Sequence, residues 1–197
     1  MLASVDHKFV MLLQPKSGTT ALEAALRNHA QFQVGGTPRW KHLNYCEFKE
    51  IFGDYFERQG CEIFGVMRDP IDTMISWYRF RARDELLETR PQMSTKDRTF
   101  DEFVTGWSEK KGPAFSHYRR PSEFYRAADG SVAPITYYRY ESLPALVDVL
   151  SEKIGKTLKL PVKNQSPPME IEYDWDRLRA IPKMQAEYDF YNALPLR

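Results

Sequence analysis

Between Phe9 and Thr20 the chain reads Phe-Val-Met-Leu-Leu-Gln-Pro-Lys-Ser-Gly-Thr-Thr, an apolar run that stops at a short turn bearing a lysine and a glycine. Residues 8–13 read as a buried strand, continuous and apolar and ended by Gln-Pro. A helical pattern follows over 19–28, with Ala21, Leu22, Ala25 and Leu26 on its inner face. Strand, tight turn and helix in that order build an anion site. Gly18 lets backbone approach a ligand closely, and the helix start directs N–H groups and the positive end of its dipole at the bound group. Lys16 adds a point charge. The expected ligand is a phosphate or sulfate ester. The run is not the G-x-x-x-x-G-K-S/T phosphate loop, because Lys16 precedes Gly18 and no upstream glycine stands at the required spacing.

The rest of the chain repeats the alternation. Residues 62–67 read as a second buried strand and 135–138 as a third. Asp69 is placed to cap a helix with Pro70 at its first position and Asp72 at the third, and Ile71, Met74, Ile75 and Tyr78 form its apolar stripe. Residues 47–56 read as helical, and Thr99 with Glu102 spells a capping box. Leu143, Leu146, Val147, Leu150 and Ile154 line a helix over 143–154 that Gly155 closes. Residues 160–168 read as an extended proline-rich loop, and 183–193 as a last helix. Strands alternating with helices predict an α/β fold in three layers, a parallel central sheet with helices on both faces.

At 197 residues the expectation is one domain over 1–197. Lys and Arg number 28 against 27 Asp and Glu, a net charge of +1, which argues against a generic nucleic-acid binder. No apolar stretch approaches the roughly 18 residues of a membrane span. Residues 1–8 lack a charged region followed by an apolar one, so no secretory signal is expected. Cys46 and Cys61 have neither metal nor redox spacing and read as free thiols. The expected location is the cytoplasm.

A second constellation runs from Val66 to Tyr78. Arg68 ends a buried strand beside a capped helix start, where open α/β sheets bind ligands. Asp69, Asp72, Thr73 and Ser76 share one polar helix face. An arginine fork with a hydroxyl suits a phosphate monoester.

Together the two segments resemble those of sulfotransferases that use 3′-phosphoadenosine 5′-phosphosulfate (PAPS). That family carries P-K-x-G-T-T around the 5′-phosphosulfate and R-D-P…S-x-Y for the 3′-phosphate. Here stand Pro15-Lys16-Ser17-Gly18-Thr19-Thr20, then Arg68-Asp69-Pro70 with Ser76-Trp77-Tyr78. Softer matches are Tyr140-Glu141-Ser142-Leu143, Asn164-Gln165-Ser166 and Tyr188-Asp189-Phe190-Tyr191. Where aryl and steroid sulfotransferases place Trp after Thr-Thr, Ala21 and Leu22 stand here, and their terminal R-K-G…G-D-W is absent. The closer resemblance is therefore to carbohydrate-type and bacterial members.

The resemblance implies a P-loop nucleotide-hydrolase-like sulfotransferase fold and direct in-line transfer from PAPS to an acceptor hydroxyl of a carbohydrate or small metabolite. It implies that Lys16 bridges the phosphosulfate and the leaving oxygen, that Ser17, Gly18, Thr19 and Thr20 cradle it, and that Arg68 and Ser76 hold the 3′-phosphate. It also places a Lys-His pair between the two donor motifs, matched by Lys41-His42, with His42 as general base. Histidine titrates near neutral pH, which suits that task. Glu23, Glu47 and Asp72 are alternative bases. No metal is expected, because no His, Cys and carboxylate cluster has ligand spacing. Arg79, Arg81 and Arg83 read as a solvated face or as the rim of an acceptor cleft. Around His117, Arg119 and Arg120 read as a solvated basic loop or as anion contacts, with Tyr118 or Phe124 able to stack on a base or sugar. His7 and His29 carry no assigned role. A small-molecule or nucleotide kinase of related fold, and a non-catalytic nucleotide-binding scaffold, are the competing readings.

Overall fold

The structure, a computed structural model, describes residues 1–161 and 169–197. The Asn164-Gln165-Ser166 segment and most of the expected 160–168 loop lie outside the described residues. The chain divides into two compact units. The first comprises Met1–Arg68, Pro121–Asn164 and Ala193–Arg197, and the second Asp69–Arg120 and Gln165–Asn192.

The first unit holds the sheet. Its elements in chain order are β1 (Leu2–Ser4), β2 (Phe9–Met11), α1 (Thr19–Leu26), β3 (Phe32–Gln33), α2 (Pro38–Lys41), α3 (Tyr45–Phe48), α4 (Asp54–Arg58) and β4 (Glu62–Met67). The second unit then supplies α5 (Pro70–Arg81), α6 (Asp84–Thr89) and α7 (Phe100–Ser108). The chain returns to the first unit for α8 (Pro121–Phe124), β5 (Thr136–Arg139) and α9 (Leu143–Ile154), and α10 (Trp175–Arg179) and α11 (Pro182–Ala193) close the sequence.

The five strands lie in the order β3-β1-β2-β4-β5. β2, β4 and β5 run parallel, while β1 is antiparallel to both β2 and β3. The expectation of a parallel sheet therefore holds for three strands and is corrected at one edge, where the sheet is mixed. The reason is connection length. β2 reaches β4 through helices, whereas four residues join β1 to β2, and a link that short only reverses the chain. β1 and β3 escape sequence reading because strands of three and two residues display no period.

Phe9 and Met11 of β2, Phe64 and Val66 of β4 and Tyr138 of β5 point to one sheet face, where Leu22 and Leu26 of α1 and Leu143, Leu146, Val147, Leu150 and Ile154 of α9 cover them. Burying each such aliphatic side chain contributes about 1.5–3 kcal/mol. Ala25, expected on the inner face of α1, is half-buried. On the other face, Gly65 makes room for Tyr125, whose ring would stand 2.8 Å from any Cβ at that position. Tyr125 is fully buried, and its hydroxyl accepts from Val66 N at 3.0 Å and donates to Val66 O at 3.2 Å.

The helix expected over 47–56 is longer and interrupted. It starts at Asn44, whose side chain caps Glu47 N at 2.8 Å, and passes through a π-helical turn at Lys49–Gly53 into α4. The helix closed by Gly155 ends as expected, with that glycine at φ 72°.

In the second unit, Asp69 caps α5 by accepting from Ile71 N at 2.8 Å and Asp72 N at 3.1 Å, and Pro70 opens it. Ile71, Met74 and Tyr78 pack with Phe100, Phe103, Val104 and Trp107 of α7 and with Leu178 and Met184. Arg81 is 2% exposed and donates to the carbonyls of Ala114 at 3.1 Å, Phe115 at 2.6 Å and His117. It is thus a buried tie for the 114–117 loop, not a solvated or rim residue. Arg79 donates to Met169 O, and Arg83 lies 5.0 Å from the Phe80 ring centroid.

Candidate functional site

The turn between β2 and α1 has the backbone an anion site requires. Lys16 and Gly18 both adopt left-handed conformations, at φ 70° and φ 74°. For Lys16 this costs on the order of 1–2 kcal/mol, and such outliers cluster where structure serves a ligand. Gly18 is required twice over. It sits in the left-handed region, and a Cβ there would meet Leu143 Cδ1 at 2.9 Å and Tyr140 Cε2 at 3.3 Å. As the N-cap of α1 it offers no side-chain acceptor, and the first turn of α1 contains no carboxylate. The helix start is therefore suited to an external anion.

Inside the turn, the Ser17 hydroxyl donates to Gln14 O at 2.8 Å and is buried. This leaves its backbone N–H, not its hydroxyl, as the group suited to a ligand. Thr19 is buried and Thr20 half-buried at the start of α1.

Arg68 joins the same turn. It follows β4, and its Nη1 donates to Lys16 O at 3.4 Å. Its guanidinium lies over the ring of Tyr140, 4.6 Å from the centroid. The parallel pairing of β2 with β4 and of β4 with β5 is what carries residues 16, 68 and 140 to one end of the sheet.

His42 is drawn in from the opposite side of the sequence. It is the residue after α2, and its Nδ1 stands 2.5 Å from Leu13 O, three residues before Lys16. A carbonyl only accepts, so Nδ1 carries the proton and Nε2 keeps its lone pair. Burial pushes the imidazole below its ordinary value of 6.5, the Leu13 carbonyl partly offsets this, and the charge of Lys41 adds to the lowering. His42 is accordingly neutral and able to take a proton at neutral pH.

Two of the alternative bases, Glu23 and Glu47, are otherwise engaged. Glu23, on α1, receives Lys41 Nζ at 2.6 Å and Arg27 Nη2 at 3.0 Å. Burial raises its carboxyl, but the hydrogen bonds and charges of those two cations outweigh burial and hold it low. Glu47 accepts from Asn44 N at 2.9 Å as the second half of a capping box. Asp72 occupies the first turn of α5 in the second unit.

Ser76 also lies on α5, 9% exposed, in the second unit. Elsewhere in that unit Asp69, besides capping α5, accepts from the Tyr188 hydroxyl at 3.0 Å. Burial, with the Asp69 charge added, raises the Tyr188 phenol well above its usual value. Tyr118 stacks on Trp77, with centroids 5.6 Å apart, and on Trp107 at 6.2 Å. Arg120 pairs with the buried Glu187 at 3.3 Å. Phe124, in the first unit, is fully buried. Phe124 therefore serves packing, while Tyr118 is half-buried and stacked on the two tryptophans of its own unit.

Sequence reading missed two contributions. Tyr140 entered it only through a motif, with no sign that its ring would lie between Gly18 and Arg68. The Glu23–Lys41 pair joins residues 18 positions apart and leaves no local signal.

The residues around Lys16 fit an anionic ester group: a glycine with no room for a Cβ, a helix start without a side-chain cap, and an arginine over an aromatic ring. Among the described residues no group of three His, Cys, Asp or Glu is arranged to hold a metal ion. No described helix is long and apolar enough to cross a membrane.

Comparison with known proteins supports a sulfotransferase family. The chain is 25% identical over 171 residues to cytosolic sulfotransferase 17 of Arabidopsis thaliana, an alignment covering 71% of this chain and 48% of that protein. The chain thus spans about half the length of the curated relative it matches. No family model matches it, and no solved structure does.

Proposed function

We propose that this protein transfers the sulfuryl group of PAPS to an acceptor hydroxyl. The observation that carries the reading is the convergence of Gly18, Arg68 and Tyr140 on the Lys16 turn, with His42 anchored to Leu13 at the start of that turn. The likeness to a sulfotransferase supports it independently.

PAPS supplies an activated sulfuryl group whose S–O bond to the 5′-phosphate breaks as the acceptor oxygen bonds to sulfur. In this reading Lys16 and the backbone N–H groups of 17–20 stabilise charge that grows on the transferring group and on the leaving phosphate oxygen. The left-handed backbone at Lys16 holds that geometry before the ligand arrives. Arg68 holds the 3′-phosphate as a two-pronged donor. Ser76 enters this role from the sequence motif alone. His42 takes the acceptor proton at Nε2 and becomes an imidazolium whose Nδ1–H stays on the Leu13 carbonyl. The acceptor we propose is a carbohydrate or small metabolite, on the strength of Ala21 and Leu22 standing where a Trp would follow Thr-Thr.

The experiment is thermal stabilisation by 3′,5′-adenosine bisphosphate, AMP and ATP with Mg²⁺ at equal concentration. A ligand at about 100 times its dissociation constant adds roughly 2.7 kcal/mol, a shift of several degrees. Selective stabilisation by the bisphosphate is expected. A response to ATP with Mg²⁺ alone overturns the reading in favour of a kinase, and silence from all three overturns it outright.

A further inference from the structure

The residue proposed as base is held by its own helix through the backbone alone, with His42 N donating to Pro38 O at 3.1 Å. α2 has four residues, Pro38–Lys41, and so short a helix does not fix the position of the residue that follows it. Beyond that backbone bond, residues 41 and 42 are held from elsewhere. Lys41 Nζ reaches Glu23 Oε2 at 2.6 Å. The Lys41 carbonyl accepts from the Met1 amine at 2.7 Å. The His42 ring donates to Leu13 O.

The tether at Glu23 has a specific consequence. Glu23 is the fifth residue of α1, the helix that starts at the Gly18 turn. Lys41 immediately precedes His42. A rigid pair between them ties the base to the same helix whose N-terminus forms the anion site. Both side chains are largely shielded, at 29% and 23% exposure, so water competes for the pair less than at a fully exposed surface. Glu23 also holds Arg27 on the next turn of α1.

We propose that the Glu23–Lys41 ion pair is a strut that fixes the orientation of His42 beside the Lys16 turn, with Glu23 and Lys41 acting as positioning residues. This rests on the assignment of His42 as the base. The strut holds the ring in the orientation in which Nδ1–H meets Leu13 O and Nε2 keeps its lone pair for the acceptor proton. Without the strut, α2 loses its link to α1, the ring leaves the carbonyl, and the neutral imidazole reverts to a mixture of tautomers. The titratable groups near His42 are Lys41, Glu23 and the Met1 amine, which burial pushes down to about 5. The charge of Lys41 disfavours the imidazolium, and that of Glu23 favours it.

The test reads the ring directly and needs neither donor nor acceptor. The ¹⁵N chemical shifts of the histidine side chains are recorded above the titration of the rings, with His42 assigned by its loss in His42→Asn. The wild type is expected to show one tautomer at His42, with the proton on Nδ1. Glu23→Gln and Lys41→Met are expected to lose that single tautomer, while Lys41→Arg, which keeps the pair, retains it. A pair that only added stability would lower the unfolding midpoint in both variants and leave the tautomer unchanged, and that result overturns the proposal. A wild type without the Nδ1–H tautomer overturns it too. Bisphosphate binding is measured on the same samples. A wild type that shows the strut-dependent tautomer but binds no bisphosphate refutes the donor assignment and leaves the strut standing.

Discussion

The guanidinium of Arg68 rests on the ring of Tyr140, 4.6 Å from its centroid. The same ring faces Gly18, where a Cβ would stand 3.3 Å from Tyr140 Cε2. One aromatic side chain thus bounds both the turn proposed for the 5′ end of the nucleotide and the arginine proposed for its 3′-phosphate. A cation against a ring in such a place gains about 0.5–2 kcal/mol.

Gly18→Ala is expected to be damaging in two ways. The left-handed φ of 74° and the contact with Leu143 Cδ1 at 2.9 Å predict a stability loss of roughly 1–3 kcal/mol. The turn must shift to relieve the clash, so binding of the bisphosphate falls as well. Denaturant unfolding and calorimetric titration read the two effects, and unchanged affinity would show that the turn does not touch the ligand.

Arg68→Ala is expected to cost affinity selectively. The bisphosphate loses roughly 10- to 100-fold, the equivalent of about 1.5–3 kcal/mol for a charged hydrogen-bonded contact, while AMP changes little. Equal losses for both ligands in titration would remove Arg68 from the 3′-phosphate.

Lys16→Ala is expected to lower turnover by about 10²–10³-fold, as removal of a charge-stabilising donor does. Binding of the desulfated product should change only a few-fold, because the lysine acts on the transferring group. Single-turnover transfer of labelled sulfate beside product titration separates the two. A large loss of product binding with turnover preserved would refute the role.

His42 makes stability depend on pH with a definite sign. Burial lowers its folded value below the ordinary 6.5. Below pH 6.5 the unfolded chain takes up this proton before the folded one does. The stabilisation is therefore fully present above 6.5 and is lost as pH falls through the lowered folded value. Urea unfolding of wild type and His42→Gln between about pH 7.5 and 5 is expected to show the steeper acid loss in the wild type. Parallel curves would mean that the ring is not buried.

Arg81→Leu tests the buried tie in the second unit. Arg81 is pushed down to about 10 by burial and still carries its proton at neutral pH. Its loss strands the carbonyls of Ala114, Phe115 and His117, at a cost of about 3 kcal/mol and several degrees in midpoint. A midpoint within a degree of wild type in thermal unfolding would place the arginine at the surface after all.

The sequence by itself determined what is local. The apolar run ending at Lys16 and Gly18, the Asp69 cap with Pro70 behind it, the box at Thr99 and Glu102 and the stop at Gly155 are all realised. Each is settled among residues a few positions apart, where backbone geometry and one side chain decide. Tertiary structure decided what joins distant positions. β1 and β3 form because neighbouring strands supply hydrogen bonds to segments too short to show a pattern. Arg81, polar and expected outside, is inside because three carbonyls of a later loop turn toward it. His42 is adjacent to Lys41 by sequence alone, but its ring meets Leu13, and Lys41 meets Glu23, only once β2, α1 and α2 have packed. The residues that carry the proposed chemistry were therefore legible as types in a motif. Their orientation was not, because it depends on partners that no spacing along the chain reveals.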